Sequence, residues 1–142
     1  MKQLNPVKVE IKVRFGECDF MGVAHHSHYF HWFELGRFEL LQNSEIGGYI
    51  KRQGYYFPVI DIGCKYRKGA VFNDIVIVET YLRNKSKAYL EFDHKLFRKK
   101  GRVLLAEGFS KHVLTTAEGQ MLYRLPEKLL NMVQLFCEEG VT

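Results

Sequence analysis

Residues 27–42 read SHYFHWFELGRFELLQ, and the helix they predict decides the fold. Tyr29, Phe30, Trp32, Phe33, Leu35, Phe38, Leu40 and Leu41 cover most of its circumference rather than one stripe. A helix apolar nearly all round is expected to be buried nearly all round. Ser27 stands at its start as the expected N-cap, with a hydroxyl suited to an unpaired first-turn N–H.

Upstream of this helix the chain alternates without a break. Val7, Val9, Ile11, Val13 and Phe15 fall on one side, and Lys8, Glu10, Lys12 and Arg14 on the other. That pattern predicts a half-buried strand. Gly16 ends it, and a loop is expected from Gly16 to His26. Downstream, a shorter helical piece over Glu45–Arg52 is weakened by Gly47 and Gly48. Four strands are predicted after it, at Pro58–Arg67, Asp74–Arg83, Lys87–Lys99 and Arg102–Thr116. The polar connections Arg83-Asn84-Lys85-Ser86 and Lys99-Lys100-Gly101 are hairpin-sized, so these strands should be antiparallel neighbours. Pro126 suits the first turn of a closing helix with Leu129, Leu130, Val133 and Phe136 on one face. The order predicts an α+β domain in which one antiparallel sheet wraps around one long central helix.

The 142 residues predict a single domain spanning 1–142. Hydrophobic residues at 46% and charged residues at 26% exclude wholesale disorder. A net charge of +5 favours anionic partners, and phosphate-bearing small molecules and nucleic acids fit it equally. Cys18, Cys64 and Cys137 are odd in number and widely spaced, which predicts reduced thiols in a cytoplasmic protein. The opening MKQLNPVKVEIKVRF lacks the apolar run of a signal peptide, and no stretch approaches the roughly 18 apolar residues of a membrane span.

Chemistry concentrates in Arg14–Tyr29, where Glu17, Cys18, Asp19, His25, His26 and His28 lead into the helix N-terminus. Such an end presents unpaired N–H groups and a positive dipole, which suit an anion or a developing oxyanion. A carboxylate at Asp19, seven residues before His26, could curl back to face the same point. Carboxylate plus oxyanion donors is a minimal apparatus for acyl transfer to water. The competing reading makes Asp19 an ordinary turn residue that satisfies local amides.

These residues resemble a family. Arg-Phe-Gly-Glu-Cys-Asp-Phe-Met-Gly-Val-Ala-His-His-Ser-His-Tyr-Phe-His-Trp-Phe-Glu, positions 14–34, is similar to the signature of hotdog-fold acyl-CoA thioesterases of the 4-hydroxybenzoyl-CoA thioesterase-like group. The resemblance runs on through Phe57-Pro58-Val59, Lys65-Tyr66-Arg67, Asp74-Ile75-Val76 and Ala106-Glu107-Gly108, and covers residues 7–127. It implies a hotdog fold, with a five-stranded antiparallel sheet around the helix. It also implies hydrolysis of an acyl-CoA, or of an acyl carrier protein thioester, with no metal and no redox cofactor. Asp19 corresponds to the catalytic carboxylate, acting as nucleophile or general base. His26 corresponds to the helix-start position whose backbone N–H polarises the thioester carbonyl, and its imidazole is a candidate for proton transfer. Phe15 stands where some members carry Tyr, so no phenol acts there, and a histidine at 28 stands near the family's Asn. Members pair their sheets edge to edge, which implies a homodimer or homotetramer with the site at the interface.

Other candidates carry less. The histidines at 25, 26, 28 and 31 lack the spacing of a metal set. Cys18 has no base partner in the sequence and reads as a small buried thiol. Glu34, among aromatics, is expected to be buried and paired with Arg37 at i+3; a second acid with a raised pKa is the alternative. The cluster Lys95, Arg98, Lys99, Lys100 and Arg102 surrounds a turn, where solvation competes with attraction for coenzyme A phosphates; Arg67 and Lys68 form a second patch. A non-catalytic basic module for RNA or an acidic protein is the rival function. It is disfavoured because most aromatics fall on apolar stripes rather than between basic residues on an exposed face. A hydratase on the same fold is less favoured because of its Asp/His arrangement. The acyl group stays open among aryl, dihydroxynaphthoyl and aliphatic types.

Overall fold

Alternation in β1 (Val7–Lys12) places Val7 in the core and its charged residues outside. The computed structural model describes residues 5–139. β1 is followed by α1 (Ser27–Gln42) and α2 (Glu45–Arg52), then β2 (Val59–Tyr66), β3 (Ile75–Arg83), β4 (Leu90–Arg98) and β5 (Val103–His112). A short pair, β6 (Leu114–Thr115) and β7 (Met121–Leu122), leads to α3 (Glu127–Glu139). The five long strands form one antiparallel sheet in the order β1-β3-β4-β5-β2. β4 is fully flanked, and Leu90, Phe92, His94 and Leu96 alternate inward as their spacing predicts.

α1 lies across the sheet's concave face. Its buried residues are Tyr29, Trp32, Phe33, Gly36, Arg37, Leu40 and Leu41, a single stripe at helical spacing. The helix is therefore not buried all round: Leu35 is 37% and Phe38 63% exposed. Gly36 sets the depth of the contact. A Cβ there would strike Thr80 Oγ1 and come within 2.9 Å of Val78 Cγ1, so the helix backbone rests directly on β3. Gly108 plays the matching part on β5, because a Cβ would enter the Phe33 ring. Truncating a side chain as buried as Phe33 costs about 3–5 kcal/mol. α2 and α3 close the far end, where Ile46, Tyr49, Ile50, Leu129, Val133 and Phe136 join Leu40 and Leu41 in one cluster.

Three local expectations are corrected. β1 stops at Lys12, and Phe15 opens a 3-10 turn, 78% exposed with its ring edge-on to Phe72. The cause is Glu17, whose Oε1 accepts the Arg14 N–H at 2.8 Å and turns the chain before Phe15 reaches the sheet. Ser27 is not the N-cap; His26 holds that position, and the Ser27 hydroxyl pairs with His25 Nδ1 at 2.9 Å. The last predicted strand divides after His112, because Thr115 leaves the sheet to exchange backbone hydrogen bonds with Tyr56. No helix among the described residues is long and apolar enough to cross a membrane.

Candidate active site

The segment between β1 and α1 is a small hairpin. His25 N–H donates to Glu17 O at 2.9 Å, Cys18 bridges Ala24, and Asp19 N–H donates to Val23 O at 2.9 Å. Ala24 N–H reaches Ala70 O at 2.8 Å, and Val23 bridges Val71, which pins the hairpin to the chain before β3. Asp19 thus sits near the tip and His26 where the hairpin enters α1, both on one braced element.

The half-buried Asp19 does part of what a turn residue does. Its Oδ1 accepts the Met21 N–H at 2.8 Å, and its carbonyl accepts Gly22 N–H at 3.0 Å. Its Oδ2 accepts no hydrogen bond among the described residues, so one carboxylate oxygen is held in place and the other is available. The N–H of His26 likewise has no acceptor among the described residues, as is usual at a helix N-terminus. The exposed His26 imidazole lies 4.1 Å from the His25 ring.

Glu17 was legible only as a second loop carboxylate, and its part is larger. It is 3% exposed, and Trp32 Nε1 donates to its Oε2 at 3.0 Å. Arg14 Nε lies 3.5 Å and His28 Nδ1 3.9 Å from it. Burial pushes its carboxyl up, but the hydrogen bonds from Arg14 and Trp32 outweigh that and hold it below its ordinary value. Tyr66 was also missed as a site neighbour: its hydroxyl donates to His26 O at 3.2 Å. Burial and the adjacent Cys64 thiol push its pKa up to about 12, which keeps the proton on that donor.

The remaining candidates do not converge here. Cys18 is half-buried rather than buried, its Sγ 3.7 Å from Arg14 O. His31 lies 3.9 Å from Glu34. The expected Glu34–Arg37 pair does not form: Glu34 is exposed, while Arg37 is buried and donates to Ser110 Oγ at 3.4 Å. The basic turn is largely neutralised by Arg98–Asp74 at 3.0 Å, Arg102–Glu79 at 2.9 Å and Lys99–Glu10. Arg67 pairs with Glu107 at 2.9 Å.

Comparison with known proteins agrees with this architecture. The acyl-CoA thioesterase YbgC of Haemophilus influenzae is 28% identical over 96 residues, covering 66% of this chain and 71% of that protein. The crystal structure of the hypothetical protein TT1821 from Thermus thermophilus superposes with a TM-score of 0.76 at 34% identity, covering 91% of this chain and 98% of that one. A DHNA-CoA thioesterase from Staphylococcus aureus shares the fold with a TM-score of 0.80 at 24% identity, covering 96% of each chain. The thioesterase-like superfamily matches residues 13–133, and with its hotdog sheet and helix the chain belongs to that superfamily.

Proposed function

We propose that this protein hydrolyses the thioester of an acyl-CoA, with Asp19 and the His26 backbone as the reacting and stabilising groups. The observation that carries the reading is the presence, on one braced hairpin, of a carboxylate oxygen and a backbone N–H that both lack partners among the described residues. The chain's family and the activity named for the Haemophilus relative support it. The His26 N–H, at the positive end of α1, polarises the thioester carbonyl. Asp19 Oδ2 then attacks the carbonyl carbon, or takes a proton from a water that does. Collapse of the tetrahedral intermediate breaks the C–S bond, and the coenzyme A thiolate leaves and is protonated. In the nucleophilic route a water then cleaves the acyl-aspartyl anhydride to free acid and Asp19.

The same reading includes a second copy of the chain. β1 and β2 are the two sheet edges. The outward side of β1 carries Lys8, Glu10 and Lys12, the charges that blunt an edge, whereas β2 exposes Val59, Ile60, Ile62 and Tyr66. A panel of acyl-CoA and acyl carrier protein thioesters, followed by thiol release, tests the reaction and its carrier. A kcat lowered roughly 10³-fold in Asp19→Asn is the expected result; no hydrolysis of any member by the wild type sinks it. The neutralised basic turn gives the rival nucleic-acid module no support, and no nucleic acid is part of this reading.

A further inference from the structure

Halfway along α1, away from the hairpin, the core holds a positive charge that nothing among the described residues neutralises at contact. Arg37 is 7% exposed, and no carboxylate lies within ion-pair distance of it among the described residues. Its one hydrogen bond there is the donation to Ser110 Oγ at 3.4 Å. That bond begins a chain with a fixed direction. His112 Nδ1 lies 3.0 Å from Phe57 O, so it carries the proton, and Nε2 accepts from Ser110 Oγ at 2.9 Å. Ser110 can therefore only accept from Arg37, and the chain ends without reaching an anion. The histidines on either side are neutral too: burial and the Arg37 charge lower His112 to about 4 and His94 to about 3. A buried cation in this state is destabilising unless something compensates it.

Arg37 also borders open space beside the helix. Two cavities of about 480 Å³ each share Glu34, Arg37 and Phe57 in their walls. One extends over Phe38 and Leu41, the other over Tyr55, Tyr56 and His112. Their shape suits an apolar or aromatic body ending in an anion. The planar guanidinium fork, with one donor used by Ser110, keeps donors enough to take a carboxylate. Lys51 adds a second positive charge to one wall; Glu34, exposed and 3.9 Å from His31, attracts Arg37 through space without an ion-pair contact.

We propose that the Arg37 cavity binds a carboxylate carried by the acyl group, so that acyl-CoA thioesters with a second, terminal carboxylate are the preferred substrates. This rests on the hydrolase reading above. Antiparallel two-fold pairing through β2 sets the Tyr66 end of one copy beside the Val59 end of the other. Tyr66 is bonded to His26, so the hairpin of each copy faces the other copy's Phe57, Val59 and Arg37. An acyl group held by its thioester at one copy's hairpin then points its far end at the second copy's guanidinium.

The test has a binding arm and a kinetic arm. In the first, His112 is followed by NMR while benzoate, or its neutral isostere benzamide, is titrated into the intact protein. Benzoate should bind and raise the His112 pKa, benzamide should not, and Arg37→Met and Arg37→Lys should each abolish or weaken the response. In the second, ω-carboxyacyl-CoA thioesters of several chain lengths are compared with their ω-carboxamide isosteres. At the matching length the carboxylate should be favoured by about tenfold or more in kcat/KM, and the ratio should fall toward one in Arg37→Met. Cleavage of charged and neutral esters alike by the wild type would overturn the proposal and leave the hydrolase reading intact. Benzoate binding without cleavage of any CoA ester would instead overturn the hydrolase reading and the acyl assignment with it.

Discussion

The Trp32 indole donates its N–H to Glu17 Oε2 at 3.0 Å and so ties the buried face of α1 to the hairpin that carries Asp19. Glu17 also holds the Arg14 N–H at 2.8 Å, so one buried carboxylate fixes both the end of β1 and the position of the helix. Hydrogen bonds to a charged group contribute about 1.5–3 kcal/mol each, which makes this contact a mechanical link as well as an electrostatic one.

Glu17→Gln should therefore lower thermal stability and kcat together. The Glu17 carboxyl is held below its ordinary value of 4.5, so its stabilisation is present above about pH 4.5 and is lost as pH falls through the lower folded value. Denaturant midpoints of wild type and Glu17→Gln should converge at the acid end. Parallel pH curves would exclude this role.

Asp19→Asn keeps the acceptor for the Met21 N–H and removes only charge and basicity. It should lower kcat by roughly 10³-fold, with KM within several-fold and Tm nearly unchanged. If Asp19 served only the turn, the Tm would fall and the rate would survive.

In the proposed mechanism the oxyanion donor at His26 is its backbone N–H, which His26→Ala retains. That variant should lose less than about 10²-fold in kcat. His26→Pro removes the N–H while its ring accepts the observed φ of −56°, and should cost about 10²–10³-fold. Equal losses in the two variants, measured on folded protein, would contradict this.

His94 and His112 are buried neutral, with values lowered to about 3 and about 4, chiefly by burial. The unfolded chain binds protons at both near pH 6.5, so stability is full above that and falls as pH drops toward 4. Each histidine contributes a slope of up to about 1.4 kcal/mol per pH unit. Replacing His94, whose Nε2 has no partner and whose ring stacks on Phe33 at 4.8 Å, by Gln should flatten the curve in urea titrations.

Ile62 is 40% exposed in the edge strand β2. If two copies pair through β2 as proposed, Ile62→Lys should give a monomer in light scattering and cut activity, since that pairing would bring the hairpin of one copy to the cavity of the other. A wild-type protein that is monomeric and fully active at micromolar concentration would refute the dimer.

Periodicity alone placed most of the elements. Alternation in β1 and β4, the helix from Ser27 to Gln42, and the polar turns at Asn84 and Lys100 are local patterns, because strand and helix geometry repeat every two or 3.6 residues. Asp19 and His26 stand out as candidates in the sequence through their place before that helix and through the family resemblance.

The partners of the charges were not local. Spacing paired Glu34 with Arg37, yet Arg37 turned inward because Ser110, 73 residues away, offers an acceptor and Glu34 could stay in water. Likewise Glu17 became buried because Trp32 and Arg14 supply donors that replace its hydration. A linear pattern records which residues prefer water, whereas the cost of burying a charge depends on whatever group the folded chain brings within three ångströms of it.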